Sequence, residues 1–304
     1  MKVLNCGSLN IDRVMPVPEF VRPGETLAAA SMTLLPGGKG LNQSLALARA
    51  GAEVSHYGAI GEDGIFLKEL LADNSVDCSP IRLRSDIASG QAMIQVDSKG
   101  ENAIVLYAGA NHTLQREEFA AALGNMQAGD YLLLQNEVNL VDEFIRMGHE
   151  HKLKIVFNPA PFTEEVRSYP LELVDILVVN EIEAAGLAGE SSAGEVLKAL
   201  QQKYPASDLL LTSGSRGSLW CGSNGEVVQC AAAEVGRVVD TTAAGDTFIG
   251  YFLAAILRNQ TVKAALTEAS AASGWCVAHH GAAPSIPWRN KIEAFYNKKN
   301  LNID

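Results

Sequence analysis

Asp240-Thr241-Thr242-Ala243-Ala244-Gly245-Asp246-Thr247-Phe248 runs straight into an apolar stretch from Phe248 to Leu257. Small residues and a glycine therefore stand at the start of a strongly apolar helix. The first-turn N–H groups of such a helix have no intrahelical acceptor, and the macrodipole makes that end attractive to negative charge. Into this anion site the chain puts a carboxylate, Asp246, which would repel a bound phosphate. The arrangement makes chemical sense if Asp246 takes a proton from a hydroxyl. The N–H groups of Ala243, Ala244 and Gly245 would then steady charge on a transferring phosphoryl group. The plainer reading is an acidic helix cap, which a lone Asp at a helix start would favour. What surrounds it carries the other one.

Outward from this stretch, short β-rich runs alternate with helical ones, the pattern of βαβ units on a parallel sheet. Lys2 to Gly7 reads as the first strand. Val54 to Ala59, Tyr131 to Gln135, Ile155 to Asn158, Ile176 to Val179 and Leu209 to Thr212 follow. Several are continuous apolar runs, as expected of strands covered on both faces. Gly40 to Ala50, closing at Gly51, is an amphipathic helix, and Leu140 to His151 and Ala193 to Lys203 are others. Two segments break the rhythm. Ile11 to Leu35 is proline-bearing and extended, and Gly90 to Gly109 reads as two strands joined at Asp97-Ser98-Lys99-Gly100. These pieces are expected to form a small separate sheet inserted into the α/β body.

The chain has 304 residues, 47% of them apolar and 19% charged, enough to bury a substantial core and too apolar for disorder. With 24 basic and 35 acidic residues the net charge is −11, which argues against general binding to a nucleic-acid backbone. An anionic substrate such as ATP must be held by local donors and a metal. The N-terminal segment breaks off too early for a secretory h-region, and the longest apolar stretch is about half a membrane span. Five cysteines, odd in number and without C-x-x-C spacing, read as reduced, buried thiols of a cytoplasmic protein. No zinc site, H-E-x-x-H, G-x-S-x-G or G-x-G-x-x-G after the first strand is present. Zinc proteolysis, serine hydrolysis and dinucleotide oxidoreduction thus lose their footing.

Other constellations cluster at strand ends. Pro36-Gly37-Gly38-Lys39-Gly40-Leu41-Asn42-Gln43 opens a helix, with glycines that let backbone approach a ligand and an amide on the first turn. It lacks P-loop spacing, so Lys39 is no Walker lysine. Gly7-Ser8-Leu9-Asn10-Ile11-Asp12 follows the first strand, where open α/β sheets bind ligands. Asn10 and Asp12 alternate with apolar residues and face one side, either equipped to grip vicinal hydroxyls or simply part of a polar turn. In Asn180-Glu181-Ile182-Glu183 the first and last residues share a helix face, either around hydrated magnesium or as an ordinary acidic helix start. Thr212-Ser213-Gly214-Ser215-Arg216-Gly217 offers hydroxyls and glycines after a strand, and Gly281 to Trp288 is a proline-rich loop.

Taken in order, these motifs resemble the ribokinase (PfkB-type) family of sugar kinases. The two signatures lie at Gly37–Gln43 and Asp240–Phe248, joined by Pro23-Gly24-Glu25-Thr26, Ala108-Gly109-Ala110-Asn111 and Asn158-Pro159-Ala160-Pro161. The resemblance spans Gly7 to Trp288 and implies a doubly wound, mostly parallel α/β sheet flanked by helices. It further implies one kinase domain over residues 1–304 with a β-sheet lid from about 11–37 and 89–109, commonly used for homodimerisation. Asp246 becomes the catalytic base, with Ala243, Ala244 and Gly245 forming the anion hole. Asn10, Asp12, Gly38, Lys39, Asn42 and Glu137 become the sugar site. Asn180, Thr212, Gly214, Ser215, Gly217 and Gly245 fall to the nucleotide, and Glu183 to magnesium through water. Asp240, Thr242, Cys276, His279, Gly281 and Ser285 surround a potassium ion, mostly through main-chain oxygens. The implied activity is ATP-dependent phosphorylation of the 5-hydroxyl of D-ribose, with the lid closing to exclude water. A sister kinase for 2-deoxyribose, fructose, another furanose or a nucleoside is the alternative, and a non-catalytic sugar or nucleotide sensor the more distant one.

Overall fold

The structure, a computed structural model, describes residues 1–189 and 193–299. Its strands are β1 (Val3–Cys6), β2 (Asn10–Pro16), β3 (Thr33–Gly37), β4 (Val54–Tyr57), β5 (Ala59–Gly61), β6 (Arg82–Arg84), β7 (Gly90–Val96), β8 (Asn102–Tyr107), β9 (Tyr131–Gln135), β10 (Lys154–Asn158), β11 (Ile176–Asn180), β12 (Asp208–Thr212), β13 (Ser218–Cys221) and β14 (Val227–Cys230). Its helices are α1 (Lys39–Arg49), α2 (Ile65–Asp73), α3 (Arg116–Leu123), α4 (Val141–Glu150), α5 (Glu181–Ala188), α6 (Ala193–Lys203), α7 (Ala244–Leu257), α8 (Val262–Val277) and α9 (Arg289–Lys299).

The main sheet has eight strands in the order β4-β1-β9-β10-β11-β12-β13-β14. From β4 to β12 neighbours are parallel, and β13 and β14 add an antiparallel edge. Chain direction across the sheet reverses between β1 and β9, so their carboxyl ends open at a topological switch point. The doubly wound fold anticipated from the motif order is the one observed.

Continuous apolar runs form strands here because both faces are covered. In β9, Leu133 enters the core shared with α1, α2, α7 and α8, while Leu132 and Leu134 enter the one on the opposite face. The second core holds Phe119 of α3 and Phe144 of α4, whose rings lie 4.2 Å apart. One strand expected as continuous divides: after β4 the carbonyl of Gly58 accepts the N–H of Arg82 (2.9 Å) and draws β5 onto β6 in a separate two-stranded sheet.

The two irregular segments meet in a second sheet, ordered β3-β2-β7-β8. It starts at Asn10 and Gly90, which are paired with each other. Asn10, one of the residues expected to grip a sugar, thus stands where the small sheet begins. All five cysteines are buried and unpaired. No helix among the described residues is long and apolar enough to cross a membrane.

Candidate active site

Helices α1 and α7 cross at very short range, and a glycine makes it possible. A Cβ on Gly250 would lie 2.4 Å from Cβ of Ala46 and 2.9 Å from the Leu47 nitrogen. The crossing carries the first turn of α1 to the head of α7. There Asn42 Nδ2 donates to Asp246 Oδ2 (3.0 Å) and Gln43 Nε2 donates to Asp246 Oδ1 (2.8 Å). Asp246 is buried, and both carboxylate oxygens are held by amides of α1. It does not cap α7: the N-cap position is Ala243, which makes no side-chain capping bond.

Ala243 has φ 60°, in the left-handed region that alanine occupies at a cost of about 1–3 kcal/mol. That kink aims the following N–H groups outward. The first helical bond of α7 runs from Thr247 N to Ala243 O (2.8 Å), so the Gly245 and Asp246 N–H groups precede it. Ala244 N–H is partly engaged by Thr241 O at 3.3 Å.

The expected sugar residues converge beside Asp246. Asn10 Oδ1 accepts from Asn111 Nδ2 (2.7 Å), and Asn111 Oδ1 in turn accepts from Leu9 N (3.0 Å), which leaves Asn10 Nδ2 as the donor to a ligand. Two residues on, on the same side of β2, Asp12 has no hydrogen-bond partner among the described residues. Glu137, just past β9, accepts from Ser8 Oγ and from Lys39 N (3.1 Å) and ties the start of α1 to the end of β1. Gly38, at φ 94°, lies so close that a Cβ would sit 2.9 Å from Ser8 O. Asn42 Oδ1 is buried without a partner, an acceptor waiting for a hydroxyl.

Burial and then the neighbouring Glu137 push the Asp12 carboxyl up to about 7. The Lys39 ammonium resists its own burial, because Asp246, Glu137 and Glu183 surround it and raise its pKa. The pocket therefore holds one cation among four carboxylates, a setting for hydroxyl donors.

The nucleotide candidates sit along the carboxyl edge of β11 and β12. Asn180 and Thr212 are paired across these strands, and Ser213 N donates to Gly217 O (2.8 Å) to close the turn holding Gly214 and Ser215. Asn180 caps α5 in a reciprocal box: Glu183 N donates to its Oδ1, and Glu183 Oε2 accepts from Asn180 N, both at 2.9 Å. Asn180 Nδ2 and Asn158 Nδ2 also reach the Glu183 carboxylate, whose pKa burial raises.

Among the described residues no group of three or more His, Cys, Asp and Glu could hold a metal ion. Glu183, with its oxygens already hydrogen-bonded, suits water of a hydrated magnesium carried on nucleotide phosphates better than direct ligation. The potassium candidates do gather. Asp240 Oδ1 accepts from Thr242 N (2.9 Å) and Thr242 Oγ1 (2.6 Å), and its Oδ2 from Gly281 N (2.9 Å). Burial opposes its ionisation, but these bonds and nearby His280 outweigh it and hold the Asp240 carboxyl below its usual range. Cys276 Sγ lies 2.9 Å from Ser285 Oγ and 3.5 Å from Thr242 O. Carbonyls and one ionised carboxylate are a donor set that fits a large monovalent cation. His279 offers only main chain, since its exposed ring stacks on Trp275 (4.7 Å).

Several residues with contacts at the site stood without a role in the motifs: Gln43, Asn111, Ser8 and Gln135. Their signal was a polar side chain where periodicity calls for burial, as Gln135 ending Tyr-Leu-Leu-Leu-Gln. Asn136, by contrast, turns away, donating to Pro161 O (2.8 Å).

A buried carboxylate at a helix head, held by two amides and set beside a lysine and further carboxylates, is an arrangement that suits a small-molecule phosphotransferase. The chain belongs to the pfkB family of carbohydrate kinases, whose family model matches residues 2–289. It is 35% identical over 298 residues to the ribokinase of Haemophilus influenzae, covering 95% of this chain and 96% of that one. It is similar to the ribokinase of Cryptococcus neoformans var. grubii solved in complex with ADP, with a TM-score of 0.85, 35% identity and coverage of 97% and 99%. The Arabidopsis thaliana ribokinase solved with ribose and ATP gives 0.84 at 26% identity, covering 96% and 97%.

Proposed function

We propose that this chain phosphorylates D-ribose at the 5-hydroxyl, giving ribose 5-phosphate and ADP. The observation that carries the chemistry is Asp246, fixed by two amides at the head of α7 within a ring of hydroxyl-binding groups. Asn10, Asp12, Gly38, Asn42 and Glu137 hold the sugar and turn its 5-hydroxyl to Asp246. Asp246 takes the proton as the hydroxyl oxygen attacks the γ-phosphorus and the bond to the ADP oxygen breaks. The N–H groups of Ala243, Ala244 and Gly245 stabilise the charge of the phosphoryl in flight, with the Lys39 ammonium beside them. Asn180, Thr212, Gly214, Ser215 and Gly217 hold the nucleotide.

Glu183 would hold water of a magnesium ion carried on the ATP phosphates, and that ion would supply charge neutralisation. Asp240, Thr242, Cys276, His279, Gly281 and Ser285 would hold potassium, which would add positive charge near the anion hole.

Residues 1–304 act as one kinase unit in which the second sheet is a lid. Its closure over the sugar excludes water and limits wasted ATP hydrolysis. The lid also pairs two copies of the chain. Its edge strand β8 exposes Ile104, Val105, Leu106 and Tyr107, Val105 by 68%, an unusual surface for an edge left open to water. Sedimentation is expected to give a dimer for the wild type and a monomer for Val105→Asp; a monomeric wild type ends this part of the proposal. Five buried, unpaired thiols suit a reducing cytoplasm.

ADP release with Mg-ATP across ribose, 2-deoxyribose, arabinose, fructose and adenosine, with and without potassium, tests the assignment. Preference for ribose with potassium stimulation is expected. Preference for another substrate moves the specificity, and silence across the panel overturns the catalytic reading.

A further inference from the structure

Behind Asp246 the core contains a line of fully buried polar side chains: Gln43, Gln135, Asn5, Ser44 and His56. Their surroundings are otherwise apolar, and shape alone would be met by aliphatic residues. Polar groups placed so deep are expensive unless they are hydrogen-bonded. Here the bonds run outward from the Gln135 amide in both directions, and of these five side chains only Gln135 leaves a buried atom, Oε1, without a partner.

A backbone group fixes the sense of the bonds. Gly40 O can only accept, so the Asn5 amide must point its Nδ2 at it (2.8 Å). Asn5 Oδ1 then faces Gln135 and accepts from its Nε2 (2.9 Å). The second hydrogen of Gln135 Nε2 goes to Gln43 Oε1 (2.8 Å). With its oxygen taken, Gln43 has only its Nε2 to offer Asp246 Oδ1 (2.8 Å). The other arm is consistent. Asn5 Nδ2 also donates to Ser44 Oγ (2.8 Å), whose hydrogen goes to His56 Nδ1 (2.8 Å), and His56 Nε2 meets Gly7 O (3.2 Å). Burial pushes the His56 pKa down to about 4, so the ring is neutral and carries one hydrogen, as this pattern requires.

We infer that Gln43 is a positioning residue for phosphoryl transfer, its amide oriented through Gln135 so that an N–H always faces Asp246. Asn42 cannot do this alone. It holds only Oδ2, and its own Oδ1 is buried without a partner. With one donor on each oxygen the carboxylate cannot rotate, and its remaining lone pairs point at the place of the reacting hydroxyl. The other titratable groups that act on Asp246 are Lys39 on α1, Glu183 on α5 and Cys276 on α8, and no substitution below touches them. The inference rests on Asp246 being the base.

Gln43→Met removes the amide at nearly constant length, and Gln135→Met removes the orienting residue while leaving Gln43 in place. Steady-state kinetics, with thermal unfolding as the check on folding, is the experiment. Losing a hydrogen bond to a charged group, Gln43→Met is expected to lower kcat by about 10–100-fold. KM for ribose and ATP stays within about threefold, because the pocket residues are untouched. Gln135→Met gives the same loss in kcat, smaller in size and again without a rise in KM, and decides the question if Gln43→Met does not fold. An unchanged kcat in both variants, or a loss confined to KM, overturns the inference. Asp246→Asn separates the two levels. If it keeps near-wild-type turnover, the base assignment itself falls. If it is inactive while both glutamine variants behave as wild type, only the role of Gln43 falls.

Discussion

The two halves of this site are made of different material. The proposed sugar half is side chains: an amide and a carboxylate from β2, an amide from α1, a carboxylate after β9, and Asp246 from α7, all but the β2 carboxylate aimed by a partner far away in sequence. Its unfilled valences point inward, at Asn42 Oδ1 and at Asp12. The nucleotide half is largely satisfied by itself. Asn180 and Glu183 close a capping box, Asp240 ties its own turn to Gly281, and Ser213 and Gly217 close a loop on the backbone. A sugar, all hydroxyls, must be read by donors and acceptors in fixed places. A triphosphate can be held by N–H groups and ions that any side chain in the right backbone would supply. Substitutions should therefore cost much in the first half and little in the second.

The largest effect belongs to the residue where the halves meet. Asp246→Asn keeps the size of the side chain and is expected to lower kcat by about 10²–10⁴-fold if general-base catalysis is its role. The protein still folds and binds ribose, with some loss of thermal stability because the new amide N–H must face one of the two donors on α1. Near-wild-type turnover in a preparation free of contaminating kinase would break the comparison at its centre.

Asp12→Asn comes next. A carboxylate that accepts from sugar hydroxyls is worth about 1.5–3 kcal/mol per charged hydrogen bond, so ribose KM should rise by about 10–100-fold with ATP KM unchanged. Thermal stability should hold or rise, because the substitution removes a charge that burial and Glu137 both disfavour. An equal rise in both KM values would show that the halves are not separable.

The same carboxyl predicts a pH dependence confined to the sugar half. With its pKa pushed up to about 7, Asp12 keeps its proton in the folded protein where an unfolded chain has lost it, between about pH 4 and 7. Over that window the folded state binds more protons, so the contribution of Asp12 to stability is full below pH 4 and is lost as pH rises through 7. Ribose hydroxyls donate to the ionised form, so binding must expel the proton below pH 7. Ribose affinity is expected to fall by about tenfold from pH 8 to pH 6, with proton release in calorimetry, and ATP affinity to stay flat by comparison. A flat ribose profile would show that Asp12 is already ionised without ligand.

The halves also differ in how much of them is legible in the chain. Gly37 to Asn42 and Ala243 to Asp246 stand out because close backbone approach and an exposed helix head demand glycine and small residues in a fixed local order. Strands such as Tyr131 to Gln135 stand out because burial on both faces demands an unbroken apolar run. What remained hidden depends on distance along the chain. Gln43 meets Asp246 across 203 positions and Asn10 meets Asn111 across 101, and nothing local marks either pair. The choice between base and cap for Asp246 turned on the left-handed Ala243, which takes the cap position without a side-chain oxygen to offer. Asn136 stands next to Glu137 in the chain yet serves the loop carrying Pro161, and nothing local separates the two.

The smallest effects are expected at the nucleotide edge, and they decide whether the comparison holds. Thr212 is the test, because it ends a strand beside Asn180 and its hydroxyl makes only a 3.4 Å contact with Val179 O. If the loop works through its backbone, Thr212→Ala removes a hydroxyl without moving the N–H groups of Gly214 to Gly217. One neutral hydrogen bond nets about 0.5–1.5 kcal/mol, and less when water can replace it at a half-exposed position. ATP KM should therefore rise by less than about fivefold, with kcat and ribose KM unchanged. The matched variant Ser215→Ala, on a fully exposed hydroxyl, should do still less. A rise of tenfold or more at either position would mean that the triphosphate is read by side chains as the sugar is, and that the self-satisfied geometry of this edge opens when nucleotide binds.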